Sequence, residues 1–188
     1  MIFDVIIIGG GASGQFCAIT AGQRGRSVLV LDSSNKIGKK ILMSGGGRCN
    51  FTNLNIEPEC FLSRNLHFCK SALSRYMQWD FIGLVEKHGI AYEERKHGQL
   101  FCKGSSKEIL TMLVKECEQA GVVIKTHCEV KTITAPEHMK IISGVAEYRL
   151  DEDDDWKKVE QDGEFNVSGN SSFDIRALDI VDYCCSFL

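Results

Sequence analysis

Proline is scarce: only two of the 188 residues are proline, Pro58 and Pro136, the second at the point where the texture of the chain changes. No stretch reaches eighteen apolar residues, and Met1-Ile2-Phe3-Asp4 carries no basic leader, so neither a membrane span nor an export signal is expected. Nine cysteines, at 17, 49, 60, 69, 102, 117, 128, 184 and 185, form an odd set without C-x-x-C spacing, which argues against a disulfide framework and a zinc ribbon. Reduced thiols in a cytoplasmic protein are the expectation. Histidine is scarce too: His67, His88, His97 and His127 lack paired spacing and His138 stands alone in the tail, so no metal site is expected. A basic cluster with interleaved aromatics is also missing, and neither nucleic acid nor membrane is an expected partner.

What is present suits a globular core, with 44% hydrophobic residues. The net charge of −3 hides a split: residues 1–131 carry 17 basic and 12 acidic side chains, residues 132–188 carry 5 and 13. Such asymmetry fits two segments of different origin.

Two glycine-rich loops carry the chemistry. Val5-Ile6-Ile7-Ile8 reads as a strand buried on both faces, followed by Gly9-Gly10-Gly11-Ala12-Ser13-Gly14 and a helical stretch from Gln15 to Arg24. Gly9, Gly11 and Gly14 match G-x-G-x-x-G, in which one glycine makes the tight turn, one admits a pyrophosphate to the backbone, and one lets helix and strand pack closely. A second strand, Ser27 to Leu31, ends in Asp32, 18 residues past Gly14 and placed to accept from adenosine ribose hydroxyls. The bland alternative is a tight strand-to-helix turn with Asp32 a solvated strand end. Gly14, Ala18 and Gly22 form a small-residue stripe that would bring the helix close to the sheet. The second loop, Ser44 to Asn50, has Gly45, Gly46 and Gly47 to expose N–H groups, and Arg48 to supply positive charge.

Further along, Ser71 to His88 has helical spacing and stops at Gly89, and Ile90 to Cys102 reads as a strand pair turning at Lys96-His97-Gly98. Ser105 and Glu108 form a capping-box pattern for a helix from Lys107 to Ala120, which Gly121 ends. Val122 to Ile133 reads as a strand returning to the sheet. Beyond Pro136 the texture becomes short strand-like runs at Met139–Ile142, Val145–Leu150, Glu164–Val167, Phe173–Leu178 and Val181–Leu188, as in an all-β sandwich or barrel with no helix. The acidic run Asp151 to Asp155 lacks the glycine and distal glutamate of a calcium loop and reads as a solvated hairpin turn.

The segment from Gly38 to Asn53 resembles the motif G-K-K-x-x-x-S-G-G-G-R-C-N-x-T-N of a bacterial flavoprotein family that includes the aminoacetone oxidase-like and BaiN-like FAD-dependent oxidoreductases. The resemblance covers residues 1 to about 131. It implies FAD, with the pyrophosphate at Gly9, Gly11, Ala12, Ser13 and Gly14, the ribose at Asp32, and the isoalloxazine side near Ser44, Gly45, Gly46, Gly47, Arg48, Cys49 and Asn50, with Lys40 of the same motif. Val130 matches a position whose backbone commonly meets the adenine. Asp32 replaces the more usual glutamate, which shortens the reach to the ribose. Cys49, without a C-x-x-C partner, reads as a packing residue rather than a redox thiol. From about residue 134, Ala135 to Gly144, Phe165 to Phe173 and Val181 to Leu188 resemble the small cupin-type pyrimidine/purine nucleoside phosphorylases, with Ser168 where proline is usual.

The expected fold class is therefore α/β: an incomplete Rossmann-like FAD-binding domain over 1–131, then a small all-β, cupin-like half barrel over 134–188. The expected function is that of an oxidoreductase-type flavoprotein using NAD(P)H or another small-molecule electron donor. Turnover is expected to be impaired, because the family's substrate domain and its second cofactor-binding segment are not found here. The alternatives are phosphorolysis of nucleosides by the tail and an inactive fusion of two truncated proteins, with exposed β edges offering a route to oligomers.

Overall fold

A computed structural model describes residues 3–65 and 67–130, and the backbone of three short stretches at 148–149, 164–167 and 173–176. In chain order its elements are β1 (Val5–Ile8), α1 (Ala12–Gln23), β2 (Val28–Leu31), α2 (Lys39–Met43), β3 (Asn50–Asn53), α3 (Lys70–Leu73), α4 (Gln78–Lys87), β4 (Tyr92–Glu94), β5 (Gln99–Cys102), α5 (Ser106–Gln119), β6 (Val123–Lys125), β7 (Glu129–Val130), β8 (Tyr148–Arg149), β9 (Glu164–Val167) and β10 (Phe173–Arg176). The chain divides into two compact units, Met1–Lys39 with Leu113–Phe187, and Lys40–Met112.

The first unit is built on a parallel sheet of order β1-β2-β6, in register Val5 to Val28 and Leu29 to Val123. Parallel strands need both faces covered, and central β2 complies: Val28, Leu29 and Val30 are all buried. Each such side chain stabilises the fold by roughly 1.5–3 kcal/mol on full burial. In β1, Ile6 and Ile7 are buried but Ile8 is 53% exposed, so the expected two-faced burial fails at the carboxyl end of the strand. That end is where open α/β sheets hold ligands.

Helix α1 starts at Ala12, three residues before the expected Gln15, because Gly11 is extended and serves as its N-cap. The small-residue stripe serves two neighbours rather than one sheet. A Cβ on Gly14 would lie 1.9 Å from the Gly9 carbonyl oxygen, and one on Gly22 would lie 2.5 Å from the Ala120 carbonyl beyond α5. Helix α5 ends as expected: Gly121 has φ +71°, and the Val122 N–H donates to the Cys117 carbonyl at 2.9 Å. Its capping box is only half made. The Ser105 N–H donates to Glu108 at 3.0 Å, whereas the serine hydroxyl accepts from Lys107 rather than from Glu108.

The single strand expected over 122–133 is broken. After β6 the chain turns at His127, φ +59°, because the His127 and Cys128 N–H groups donate to the carbonyls of Ser34 and Asp32. It then resumes as β7, antiparallel to β8. In the tail, β9 and β10 form an antiparallel pair, Val167 opposite Phe173, where two of the expected strands lie. The runs 139–142 and 181–188 lie outside the described residues.

The second unit holds an antiparallel sheet of order β3-β5-β4 with a bulge between Asn50 and Thr52. Phe51 packs edge-on to Tyr92 at 5.7 Å and tilted against Phe81 at 6.0 Å, which seats α4 on the sheet. The Ser106 hydroxyl, 2% exposed, donates to the Leu42 carbonyl at 2.9 Å and so ties the start of α5 to α2.

Candidate functional site

In the first unit, the three glycines of the first loop separate into three physical roles. Gly9 has φ +104°, a turn only glycine makes readily. Gly14 is packed on the Gly9 carbonyl, so any side chain there must push strand and helix apart. Gly11 has neither constraint: its backbone is extended and nothing lies within 4 Å of where a Cβ would sit. The protein itself does not need glycine at 11. The open space over it is what a ligand touching the backbone requires.

Helix α1 has no side-chain cap and no acidic residue in its first turn. The N–H groups of its first three residues, Ala12, Ser13 and Gly14, have no carbonyl four residues back within the helix, and the helix dipole adds partial positive charge there. An uncapped helix start beside an open glycine suits the pyrophosphate of a dinucleotide such as FAD. The loop is held by Gln15, fully buried, whose amide nitrogen donates to the Gly10 carbonyl at 2.9 Å, and by the Gly38 N–H, which donates to the same carbonyl at 2.9 Å.

Asp32 stands beside this loop, but its carboxylate already works within the protein. It accepts from the Gly10 N–H at 2.7 Å, from the Ser34 N–H at 2.8 Å, and from the Ser34 hydroxyl. Partial burial alone would raise its pKa. The two Ser34 bonds, the Gly10 bond and the Lys39 charge outweigh burial and hold the carboxyl below the usual carboxylate range. A carboxylate offers about four acceptor directions, so room remains for about one ribose hydroxyl. Val130, the position expected near the adenine, is half-buried in β7 and pairs with Tyr148.

The second loop lies in the second unit. Gly45, Gly46 and Gly47 take φ values of +56°, +66° and +84°, a left-handed run that side-chain-bearing residues make at a cost of about 1–2 kcal/mol each. Gly46 and Gly47 have open space where a Cβ would be, whereas at Gly45 one would sit 2.7 Å from the Phe101 ring and 2.8 Å from the Asn50 nitrogen. Exposure of N–H groups therefore explains Gly46 and Gly47, and packing explains Gly45. Ser44 donates its hydroxyl to the Ile41 carbonyl at 2.8 Å. Asn50, in the amide orientation that satisfies both partners, donates to the Leu100 and Thr52 carbonyls at 3.2 Å and so braces the bulge. Lys40, in α2, is exposed.

Cys49 is fully buried at φ +49°, and burial pushes its thiol pKa up despite a Ser44 hydrogen bond. Its neighbourhood contains a second cysteine that sequence spacing hid. Cys102, also fully buried, lies on the adjoining strand, and its thiol is pushed up to about 12, by burial first and then by the Cys49 and Glu108 charges. Such thiols are poor nucleophiles at neutral pH.

Sequence reasoning also missed the group beside Arg48. Its guanidinium lies 3.6 Å from Glu93, which accepts from Arg95 at 3.0 and 3.1 Å, and Arg95 stacks 4.2 Å above the Phe101 ring. The cluster carries two cations and one anion, all partly exposed beside the glycine turn. Only the β3–β5–β4 pairing brings residues 48, 93, 95 and 101 together. Among the described residues no group of three or more histidine, cysteine or carboxylate side chains could hold a metal ion, and no helix is long and apolar enough to cross a membrane.

A family model described as the HI0933-like protein Rossmann domain matches residues 3–154. The chain is 58% identical over 135 residues to the ribosomal RNA dihydrouridine synthase of Escherichia coli K12, a match that takes in 72% of this chain and 34% of that protein. It thus spans about a third of that relative's length. It is also 32% identical over 113 residues to the pyrimidine/purine nucleoside phosphorylase of Janthinobacterium sp. (strain Marseille), covering 59% of this chain and 97% of that protein. Among solved structures, the open conformation of a flavocytochrome c3 fumarate reductase aligns with a TM-score of 0.56 at 15% identity, over 96% of this chain and 33% of that one, a likeness of fold.

Proposed function

The chain belongs to the HI0933-like Rossmann-domain family, and we propose on that footing that residues 1–131 are the FAD-holding part of a flavin-dependent reductase acting on uracil in RNA. The carrying observation is the 58% identity over 135 residues to a ribosomal RNA dihydrouridine synthase, whose name states both substrate and product. The proposal departs from the expectation, drawn from the lack of a basic cluster with interleaved aromatics, that nucleic acid is not a partner.

When bound, FAD supplies the hydride chemistry that saturation of a carbon–carbon double bond needs. The residues of this chain bind and orient it. The N–H groups at the start of α1 and the open backbone at Gly11 take the pyrophosphate, and Asp32 takes one ribose hydroxyl. Gly46, Gly47, Arg48 and Lys40 present donors and positive charge to the anionic parts of the cofactor. Ser44, Gly45, Cys49 and Asn50 hold the loop in shape. The electron donor is NAD(P)H or a related small molecule. The chain also matches a nucleoside phosphorylase over 59% of its length, and cofactor binding is proposed to survive in it better than reduction of uridine.

The test is a visible absorption spectrum of the purified chain with and without added FAD. A protein-bound flavin spectrum is expected, and a chain that neither carries nor takes up FAD would sink the reading. A second reading, phosphorolysis of nucleosides, rests on the match to 97% of a nucleoside phosphorylase. Phosphate-dependent release of base from uridine or inosine above a no-protein control would favour it, together with an origin of the chain by fusion.

A further inference from the structure

We infer that residues 60–79 form a docking strip for single-stranded RNA, presenting exposed aromatic rings for base stacking between cations that meet phosphates. This inference rests on the RNA-directed reading above. The strip is conspicuous for apolar side chains that its own fold leaves uncovered: Leu62 is 96% exposed, Trp79 57%, Phe68 51% and Met77 42%. They do not belong to a loosely held loop. Cys69, Leu73 and Gln78 are buried at intervals along the same stretch, and Gln78 donates its amide to the Leu54 carbonyl at 3.1 Å, so the strip is pinned at three points. Phe61 and Phe68 lie edge-to-face with centroids 6.4 Å apart.

Charge decides between occupants. From residue 60 to residue 79 the chain has Arg64, Lys70 and Arg75 and no acidic residue. All three cations are exposed. An apolar protein partner would leave them facing an uncharged surface, whereas a nucleic-acid strand offers both π-faces and phosphates, which suit the exposed rings of Phe68 and Trp79 and the exposed cations Arg64, Lys70 and Arg75. Double-stranded RNA would present phosphates without bases to stack, so the match is to a single strand or an unpaired loop. The strip is flanked by exposed Glu57 and Glu59 on one side and on the other by Asp80, which accepts from the Met77 N–H at 2.7 Å. The sequence hid the strip because its three cations, Arg64, Lys70 and Arg75, are spaced over 12 residues and form no run.

The test uses the full chain and a fluorescein-labelled uridine-rich RNA oligonucleotide, read by anisotropy over a salt series. Three phosphate contacts predict a slope of log affinity on log salt of about −2. Trp79→Ala is expected to weaken binding roughly tenfold or more, and Arg75→Ala to flatten the salt slope. In a Trp156→Phe background Trp79 is the only tryptophan, and its fluorescence should be quenched as RNA binds. Circular dichroism and flavin uptake, measured on the same samples, should not change with Trp79→Ala. No RNA binding, binding indifferent to Trp79 and Arg75, or a strip consumed by self-association of the chain in sedimentation would each overturn the inference. Loss of flavin uptake in the unmutated chain would count against the cofactor reading instead.

Discussion

Gly11 and Gly14 are both glycines of one fingerprint, yet the structure gives them opposite reasons to be glycine, and alanine at each should separate ligand binding from folding. At Gly14 an added Cβ meets the Gly9 carbonyl oxygen at 1.9 Å, with Ile7 a further neighbour at 3.4 Å. Ordinary contact between such atoms begins about 1.5 Å further out, and the obstacle is backbone, which cannot rotate aside. The penalty belongs at the top of the overpacking range, about 3 kcal/mol. For a chain of this size that lowers the melting temperature by roughly 6–12 °C. At Gly11 the backbone is extended, φ −74° and ψ −174°, and no atom lies within 4 Å of the new methyl. The slightly poorer cap and the less flexible unfolded chain offset each other, so stability should stay within about 0.5 kcal/mol. The methyl instead occupies the space proposed for the pyrophosphate. Losing one or more charge-assisted N–H contacts, each about 1.5–3 kcal/mol, should weaken FAD binding roughly 10- to 100-fold. Thermal melts by circular dichroism, with FAD titrated by quenching of its fluorescence, read both effects. A Gly11→Ala chain that binds FAD like its parent would refute the placement of the pyrophosphate. A Gly14→Ala chain that melts like its parent would refute the packing argument.

Gly45→Ala combines a left-handed φ with contacts of 2.7 Å to Phe101 and 2.8 Å to the Asn50 nitrogen, and should destabilise the second unit by about 2–4 kcal/mol, with or without FAD, in denaturant unfolding. An unchanged midpoint would remove the structural role given to Gly45. Asp32→Asn should lower stability at neutral pH and not in strong acid. The folded carboxyl titrates below its unfolded value near 3.9, so its contribution is complete above about pH 4 and lost as pH falls through the lowered folded value. Melting curves of the two proteins that stay equally far apart down to about pH 2 would contradict the hydrogen-bonded carboxylate. Alkylation with iodoacetamide followed by peptide mass spectrometry should modify exposed Cys60 well before buried Cys49 and Cys102, with the order lost in denaturant. Early labelling of Cys49 would reopen a redox role for it.

What could be read along the chain was local chemistry. Strand β1, its glycine turn, the stops at Gly89 and Gly121 and the turn through Lys96-His97-Gly98 each depend on a few neighbouring residues, and each is where the spacing put it. The partners of Asp32 were partly within reach, since Ser34 two residues on is the local pattern of an aspartate turned back on its own backbone. What could not be read depends on strand pairing. Arg95 stacks on Phe101 and shares Glu93 with Arg48 because β5 lies between β3 and β4, an order that no spacing rule specifies. The same pairing sets Cys102 near Cys49, 53 positions apart in the chain.

That difference bears on how the two glycine loops should be understood. The first is a local device: turn, open backbone and helix start are consecutive, so its fingerprint transfers between proteins almost intact. The second owes its shape to Phe101 and Asn50 as much as to its own glycines. Its long motif is therefore the signature of one packing arrangement as well as of the cofactor that its resemblance implies. Substitution of Phe101 should accordingly disturb the second loop while leaving the first unaltered, which makes Phe101→Leu the most direct probe of whether FAD affinity depends on both loops or on the pyrophosphate loop alone.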